Sequence, residues 1–445
     1  MNEAAMMNKP YIRKIPYYLL MLFFVFEYGR IHSLLGPIRF LHLPFFTSLA
    51  LLMLLLIEKP VVNSLQTKCL LALIILMGIH VPIAVNNHWA FEMTRVIFTY
   101  LVVHLAITKY VVSYDIFRRL VSVWLICGAF LCVQGIFQGG EIKGSAFFSD
   151  ENDFSLAMNI FLGISYFRFL QGPRKNKIML VLLGLFLLGI LISFSRGGFV
   201  GLCVVLLFIW ISSPKKILGL FLVVLLALFI MVASPPKYWD EMKTITVIEE
   251  GRGTAAGRIY YWERAWDMFL DHPVLGVGPG NYPWNIEKYE PIGGYRERYH
   301  GGRAAHSMYF TLIAELGLAG CLVFGIILFA DFKTLRGIMK NFRRGKRSQL
   351  VQGGKEQNEA SKIEDLEKAE ARNMMYYDSA GIYVALCGFL ASGLFLSVLY
   401  YPHFWILTSL ITSAGRIRKE LESRGAASDK EEVGVLKENG FGLRE

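Results

Sequence analysis

Gly257-Arg258-Ile259-Tyr260-Tyr261-Trp262, then His272-Pro273-Val274-Leu275-Gly276-Val277-Gly278-Pro279-Gly280-Asn281, then Ala305-His306-Ser307: these three stretches punctuate a long polar run, Gly251 to Glu315, set between two blocks of apolar sequence. What surrounds the run decides the fold. Apolar stretches of about 18 residues or more recur along the chain, each enough to cross a hydrocarbon core of roughly 30 Å. Of 445 residues, 54% are hydrophobic and only 18% charged, and the mean hydropathy is +0.44. A soluble protein of this size needs about 25% charge to cover its surface. The short alternating segments of a transmembrane barrel are missing. The expected fold is all-α: a polytopic integral membrane protein with one large outer loop that itself contains helices.

A window of about 19 residues places roughly twelve transmembrane helices. Their cores fall near 15–31, 41–57, 68–85, 91–110, 117–137, 153–170, 177–194, 197–213, 216–233, 306–331, 377–399 and 402–415. Basic residues alternate with them. Lys9, Arg13 and Lys14 precede the first span. Lys59 and Lys68, then Lys109, Arg118 and Arg119, then Arg168, Arg174, Lys175 and Lys177, then Lys215 and Lys216, then the run from Lys333 to Arg347, all fall on the same side. The other side carries Arg30, Arg39, Lys143 and Arg196. Short loops rich in Lys and Arg stay in the cytoplasm, so both termini are expected there. The chain divides into nine transmembrane helices over 1–233, a periplasmic loop 234–305, a tenth helix 306–331, a charged cytoplasmic loop 332–376, two more helices over 377–415 and a polar, unstructured cytoplasmic tail 416–445. The loop 234–305 is then on the outer face, which is the periplasm if the cell has two membranes. Apolar sequence follows Lys14 without a small-residue cleavage site, which reads as a first membrane helix, not a removed signal.

The formal charge of +11 follows from this sidedness, and no basic stripe interleaves with a soluble fold, so nucleic acid is not an expected partner. Cys69, Cys127, Cys132, Cys203, Cys321 and Cys387 lie in or beside apolar helices, without metal-type spacing, and read as small core residues.

Three residues of the outer face, Arg196, Arg258 and His306, are candidates for chemistry. Arg196, in Ser193-Phe194-Ser195-Arg196-Gly197-Gly198, stands in a tight hairpin at the membrane edge. It reads as an anion ligand or as a cation snorkelling to headgroups; the flanking glycines allow close approach. Arg258 opens a helix running to about Asp271, with Ile259, Trp262, Trp266 and Phe269 as a stripe on the membrane surface. A helix start favours anions; a salt bridge to Glu263 or Asp267 is the plainer reading. The Gly276–Gly280 stretch is G-x-G-x-G outside any βαβ pattern, hence a tight turn re-entering the membrane edge and not a dinucleotide loop. His306 opens the helix Met308–Ala330, with Ser307, Thr311 and Glu315 following. It can accept a proton near neutrality, or merely cap the helix. His272 and His300 lie on looser loop sequence. Asp150, Glu151 and Asp153 are the densest outer acidic cluster, yet no ligand spacing marks a metal site, and Asn152 or Asp153 suits a helix cap. Glu92 and Arg95, three apart, are expected to pair.

Together, S-R-G-G at Arg196, Arg258 before W-x-x-A-W, H-P-V-L-G-V-G-P-G-N-Y from His272, and A-H-S-x-Y-x-x-x-x-A-E-L-G-L-A-G around His306 resemble the O-antigen ligase superfamily. That superfamily includes lipopolysaccharide O-antigen ligases, Wzy-type polymerases and protein O-oligosaccharyltransferases. The resemblance spans about residues 140–330, and Phe148 to Ala157, around Asn152, resembles a helix-start motif of the same family. It implies about twelve helices, a large periplasmic loop and a cavity open to the outer leaflet. The implied reaction is inverting, metal-independent and cofactor-free transfer of a glycan from undecaprenyl diphosphate to lipid A-core, or to another glycan or protein acceptor, amid membrane lipids. By position, Arg196 and Arg258 would bind the diphosphate and His306 would be the catalytic base or a positioning residue, with Ser307, Glu315, Asn281 and Asn152 in support. Many members carry His-Asn where this chain has His306-Ser307; serine can still hydrogen-bond, but the role of that Asn is not carried over. A small-solute transporter is the competing class; it calls for ionisable residues near the midplane and paired broken helices.

Overall fold

The computed structural model describes residues 14–29, 42–142, 147–148, 150–171, 176–213, 216–233, 239, 254–290, 302–352 and 359–438. Their regular structure is entirely helical. The helices are α1 (Lys14–Glu27), α2 (Leu43–Glu58), α3 (Leu65–His80), α4 (Asn87–Tyr110), α5 (Tyr114–Phe137), α6 (Glu151–Phe169), α7 (Asn176–Ile192), α8 (Arg196–Ser212), α9 (Lys216–Ala233), α10 (Thr254–Asp271), α11 (Tyr282–Asn285), α12 (Met308–Gln352), α13 (Glu359–Ser392) and α14 (Pro402–Glu438). Each expected apolar segment coincides with one of α1–α9 or α12–α14. Among the described residues, four stretches are long and apolar enough to cross a membrane by length and composition: Asn87–Tyr110, Tyr114–Phe137, Met308–Lys340 and Glu370–Ser392. Several other apolar helices are shorter.

Local chemistry starts these helices where the sequence turns from polar to apolar. Ser64, Asn86 and Ser113 cap α3, α4 and α5 with side-chain oxygens that accept from Thr67, Trp89 and Ile116 backbone N–H groups. The apolar faces divide in two. α6 is buried nearly throughout, packed against α7, α8 and α13. Ile57, Phe137 and Ile217 instead point outward, each more than three-quarters exposed, as lipid-facing side chains do.

Four element boundaries differ from expectation. α13 already begins at Glu359, inside the expected charged loop 332–376. α12 continues to Gln352 and α14 to Glu438, so the first part of the polar tail is helix; Arg416 and Arg418 support it with i,i+4 partners Glu420 and Glu422. α13 stops at Ser392 instead of near residue 399. The Gly393 carbonyl accepts the Met308 N–H at 2.8 Å, and residues 393–401 fold back beneath the polar run.

The Gly-rich stretch does more than turn. α12 breaks at Gly317, whose φ of 58° and ψ of −158° are non-helical. The break frees the Ala314 and Glu315 carbonyls and the Leu318 and Ala319 N–H groups, which an unbroken helix would join. The stretch satisfies all four: Val277 N–H donates to Ala314 O and Gly278 N–H to Glu315 O, both at 2.9 Å, while Leu318 N–H reaches Pro273 O at 2.8 Å and Ala319 N–H reaches Val274 O at 3.0 Å. Gly276, at φ 77°, lies so close that a Cβ there would sit 2.4 Å from the Glu315 carbonyl carbon.

At the opposite end of the bundle a buried ion pair joins α6 to α13. Arg168 Nε donates to Asp378 Oδ1 at 2.6 Å, Arg168 Nη1 to Ser122 Oγ at 2.8 Å, and Tyr114 Oη to Asp378 Oδ2 at 2.6 Å. Arg168→Ala leaves a buried carboxylate without its cation, at a cost of about 3–5 kcal/mol. The thermal midpoint of purified protein in detergent should fall steeply, and the double variant Arg168→Met/Asp378→Asn should recover much of the loss.

Candidate active site

The site is built from the ends of separate elements. Asp150, not Asn152 or Asp153, caps α6: its Oδ1 accepts from the Asn152 backbone N–H and from Asn152 Nδ2, both at 2.7 Å. Asn152 is thereby free to hold the neighbouring hairpin, and its Oδ1 accepts from Ser195 Oγ at 2.7 Å. Ser195 in turn caps α8 by accepting from Gly198 N–H at 2.8 Å. Arg196 follows as the first residue of α8, half-buried. Gly198 permits the contact of α8 with α6, since a Cβ there would meet Ser155 Oγ at 2.3 Å.

Arg258 stands in the second turn of α10, so the attraction of a helix start for anions does not act on it. Nor does the alternative ion pair form: Asp267 and Glu263 pair with Arg264, at 2.9 and 3.8 Å. Arg258 instead lies over the Phe395 ring, 5.5 Å from its centroid. α10 docks on α12 through Trp262, stacked on Phe310 at 5.1 Å and 9°. The expected stripe is thus split: Trp262 turns inward while Ile259 and Trp266 remain outward.

His306 occupies a left-handed turn, φ 50°, a conformation that is uncommon outside glycine. Ser307 takes the cap: its Oγ accepts the Phe310 N–H at 3.5 Å, and its carbonyl accepts from Thr311 N–H and Oγ1 at 2.9 and 2.7 Å. The imidazole is left beside Tyr261, ring centroids 5.9 Å apart.

The charges of these groups act on one another. Arg258 is pushed below the ordinary guanidinium range, first by burial and then by the like charge of Arg196, with Asp150 opposing. His306 keeps solvent access on one side, while the protein around it lowers its imidazole below the ordinary value. Burial is the largest cause, the charges of Arg258 and Arg303 add to it, and Asp150 opposes. Gly197, next to Arg196, lies against Phe395, on which Arg258 sits, and the His306 ring rests beside Tyr261 of α10, so Arg196, Arg258 and His306 come together. Asp150, which in sequence stands out only within an acidic cluster, acts on both Arg258 and His306. Nothing in the apolar surroundings of Phe395 marked it, because it reaches Arg258 only through the fold-back after α13.

The other candidates lie elsewhere. Asn281 is fully buried and ties the Gly-rich stretch to α4: its Oδ1 accepts from Asn86 N–H at 2.8 Å and its Nδ2 donates to Asn86 O at 3.2 Å. Glu315 accepts from Gly280 N–H at 2.7 Å, Tyr282 N–H at 3.0 Å and Tyr400 Oη at 2.6 Å. It borders a cavity of about 320 Å³ whose wall also includes Trp89, Trp284, Ala305 and Thr311, so the cavity reaches the residue before His306. His272 sits in the turn after α10, and His300 lies outside the described residues. Glu92 and Arg95 pair as expected.

Two arginines held near each other against their own repulsion suit an anion with more than one charge, and a neutral imidazole beside them suits proton acceptance. Residues 179–325 match a family model described as O-antigen ligase (Wzy_C). The match supports membership of the O-antigen ligase superfamily. No curated protein matches the chain. The O-antigen ligase region runs from α7 into α12 and contains Arg196, Arg258, Asn281, His306, Ser307 and Glu315, whereas Asp150, Asn152 and Phe395 fall outside it. With the apolar helices, it supports a multi-pass membrane glycosyltransferase of the ligase or polymerase type, acting on a lipid-linked glycan and an acceptor.

Proposed function

We propose that this chain is an O-antigen ligase-type glycosyltransferase of the bacterial inner membrane. It moves a glycan from undecaprenyl diphosphate to lipid A-core, or to another envelope acceptor, on the periplasmic face. The observation that supports this reading is the approach of Arg196, Arg258 and His306 from three separate elements, through Phe395 and Tyr261. In the reaction, an acceptor hydroxyl oxygen attacks the anomeric carbon and its proton passes to the His306 imidazole. The bond to the diphosphate breaks as the new bond forms, so the configuration inverts. The electron pair leaves with undecaprenyl diphosphate, whose growing charge Arg196 and Arg258 stabilise where it develops. Phe395 and Asp150 position the cations before the donor arrives. Asn152 fixes the hairpin that carries Arg196, Ser307 caps α12 behind His306, and Glu315 and Asn281 hold the Gly-rich stretch. No metal is required by this scheme, so transfer should persist in EDTA; loss in EDTA with recovery on added magnesium contradicts it.

Purified protein is incubated with polyprenyl-diphosphate-linked glycan and candidate acceptors. One shifted acceptor band indicates a ligase, whereas a ladder on the carrier indicates a Wzy-type polymerase, and a shifted protein band indicates a protein O-oligosaccharyltransferase. Uptake of a labelled solute by reconstituted vesicles that is lost in Arg196→Ala, without any transfer, sinks the enzyme reading in favour of a transporter.

A pH profile tests the base directly. Only the neutral imidazole accepts a proton, and the surroundings lower the His306 pKa. The acid limb of kcat/KM should therefore fall below the ordinary imidazole value of about 6.5. Because the positive charge of Arg258 contributes to the lowering, Arg258→Gln should move that limb upward, a shift that a purely structural histidine has no means of producing.

A further inference from the structure

A second cavity, of about 400 Å³, opens between the start of α3, the end of α4, the middle of α12 and the middle of α14. It lies at the other end of the bundle from the candidate site. Trp89 of α4 borders the first cavity and Thr108 the second; at 1.5 Å per residue they are roughly 28 Å apart along the helix, close to a hydrocarbon thickness. Lys333, Arg416, Arg418 and Lys419 line this cavity, with no carboxylate among its described lining residues. Charges of one sign on a concave, low-dielectric wall reinforce one another's field.

The nearby carboxylates do not cancel it. Glu420 and Glu422 lie 3.6 and 3.7 Å from Arg416 and Arg418 along α14, with their own side chains substantially exposed; i,i+4 pairs of this kind are weak. Asp331, buried behind the wall, is engaged by Gln66 Nε2 at 3.1 Å and Thr408 Oγ1 at 2.8 Å. Arg418 Nε is shielded from solvent, and its ion-pair contact with Glu422 Oε1, at 3.7 Å, is beyond hydrogen-bond distance. At the edge, Phe329 and Leu65 are 64% and 47% exposed, so an apolar rim borders the cationic interior. Cations inside and hydrocarbon at the edge match an amphiphile that carries a phosphate. Basic pockets between transmembrane helices on the cytoplasmic side hold anionic headgroups on these terms.

We propose that this cavity binds the phosphate-bearing headgroup of an anionic phospholipid, with Arg416, Arg418, Lys333 and Lys419 around the phosphate and Phe329 and Leu65 against the acyl chain. Guanidinium groups suit phosphate through paired N–H donors. The headgroup would hold α12 and α14 together at the end away from the Glu315–Tyr400 contact. The proposal does not depend on the catalytic reading.

The test is native mass spectrometry of full-length protein released from nanodiscs of phosphatidylglycerol or of zwitterionic phosphatidylethanolamine. Wild type should retain phosphatidylglycerol in preference. The triple variant Lys333→Gln/Arg416→Gln/Arg418→Gln should retain roughly tenfold less or lower. Lys340→Gln, which removes a charge from α12 outside the cavity wall, should retain as much as wild type. Equal retention by the triple variant, or an equal drop in Lys340→Gln, overturns the site. A second arm titrates inorganic phosphate into lipid-depleted protein. Phosphate binding lost in the triple variant, without retained phospholipid, overturns the lipid source and assigns the cavity to free phosphate. If the triple variant elutes aggregated, Arg418→Gln alone is compared with wild type by the same readout, with a drop in retention supporting the site and no drop overturning it.

Discussion

Arg196→Ala and Arg258→Ala should each slow glycan transfer by roughly tenfold to a hundredfold or more, and His306→Ala by about 10²–10⁴. A diphosphate leaving group gains negative charge as the glycosyl bond breaks, and each arginine contributes charge-assisted hydrogen bonds worth about 1.5–3 kcal/mol. The two are coupled, because Arg258 already feels the charge of Arg196. Removing one relieves repulsion on the other, so the double variant should lose less than the product of the single losses. Arg258→Lys keeps a charge without the planar fork and the full stacking on Phe395, and should fall between wild type and Arg258→Ala. The variants are scored for transfer at matched protein level after confirming that each inserts and accumulates. Full activity in His306→Ala removes that residue from proton transfer, while full activity in both arginine variants removes the diphosphate site.

Glu315→Ala should destabilise the protein by on the order of 5 kcal/mol, because three donors lose their acceptor and each orphan costs about 1–3 kcal/mol. One is the Gly280 N–H, in the Gly-rich stretch that fills the break in α12, another the Tyr282 N–H at the start of α11 just beyond it, and the third Tyr400 Oη. Glu315→Gln keeps one acceptor oxygen but turns a donor toward donors, so its loss should be smaller though still marked. Gly276→Ala reaches the same junction by another route: a φ of 77° and a Cβ 2.4 Å from backbone force the stretch out of the break. Thermal unfolding in detergent, with limited proteolysis across residues 272–281, reads both. Glu315→Ala with wild-type stability and no transfer would falsify the strut and make the carboxylate a participant in the reaction.

Much of this protein was legible before any tertiary structure. The twelve apolar segments fall on helices because long hydrophobic runs leave the backbone few ways to satisfy itself other than within the segment. Arg196, Arg258 and His306 stood out because a charge or an imidazole beside apolar sequence is costly unless it snorkels, pairs, caps a helix or meets a ligand. Local propensity also placed the end of α10 at Asp271, before Pro273.

What the sequence by itself determined was therefore the helical, membrane-embedded class and a short set of candidate polar groups within it. Only the tertiary structure decided which of them meet. Asp150 rather than Asn152 caps α6, a choice that depends on where the Ser195 hairpin comes to rest. Arg258 leaves its neighbours Glu263 and Asp267 to Arg264 and settles on Phe395, 137 positions away. The Gly-rich stretch looked like an isolated turn, because its partners, four backbone groups freed at Gly317, appear only once α12 breaks. Helices and spans are set by interactions within a few residues of one another, and periodicity and hydropathy record those. The site is made by contacts between distant segments, fixed by packing and by the demand that every buried polar group find a partner.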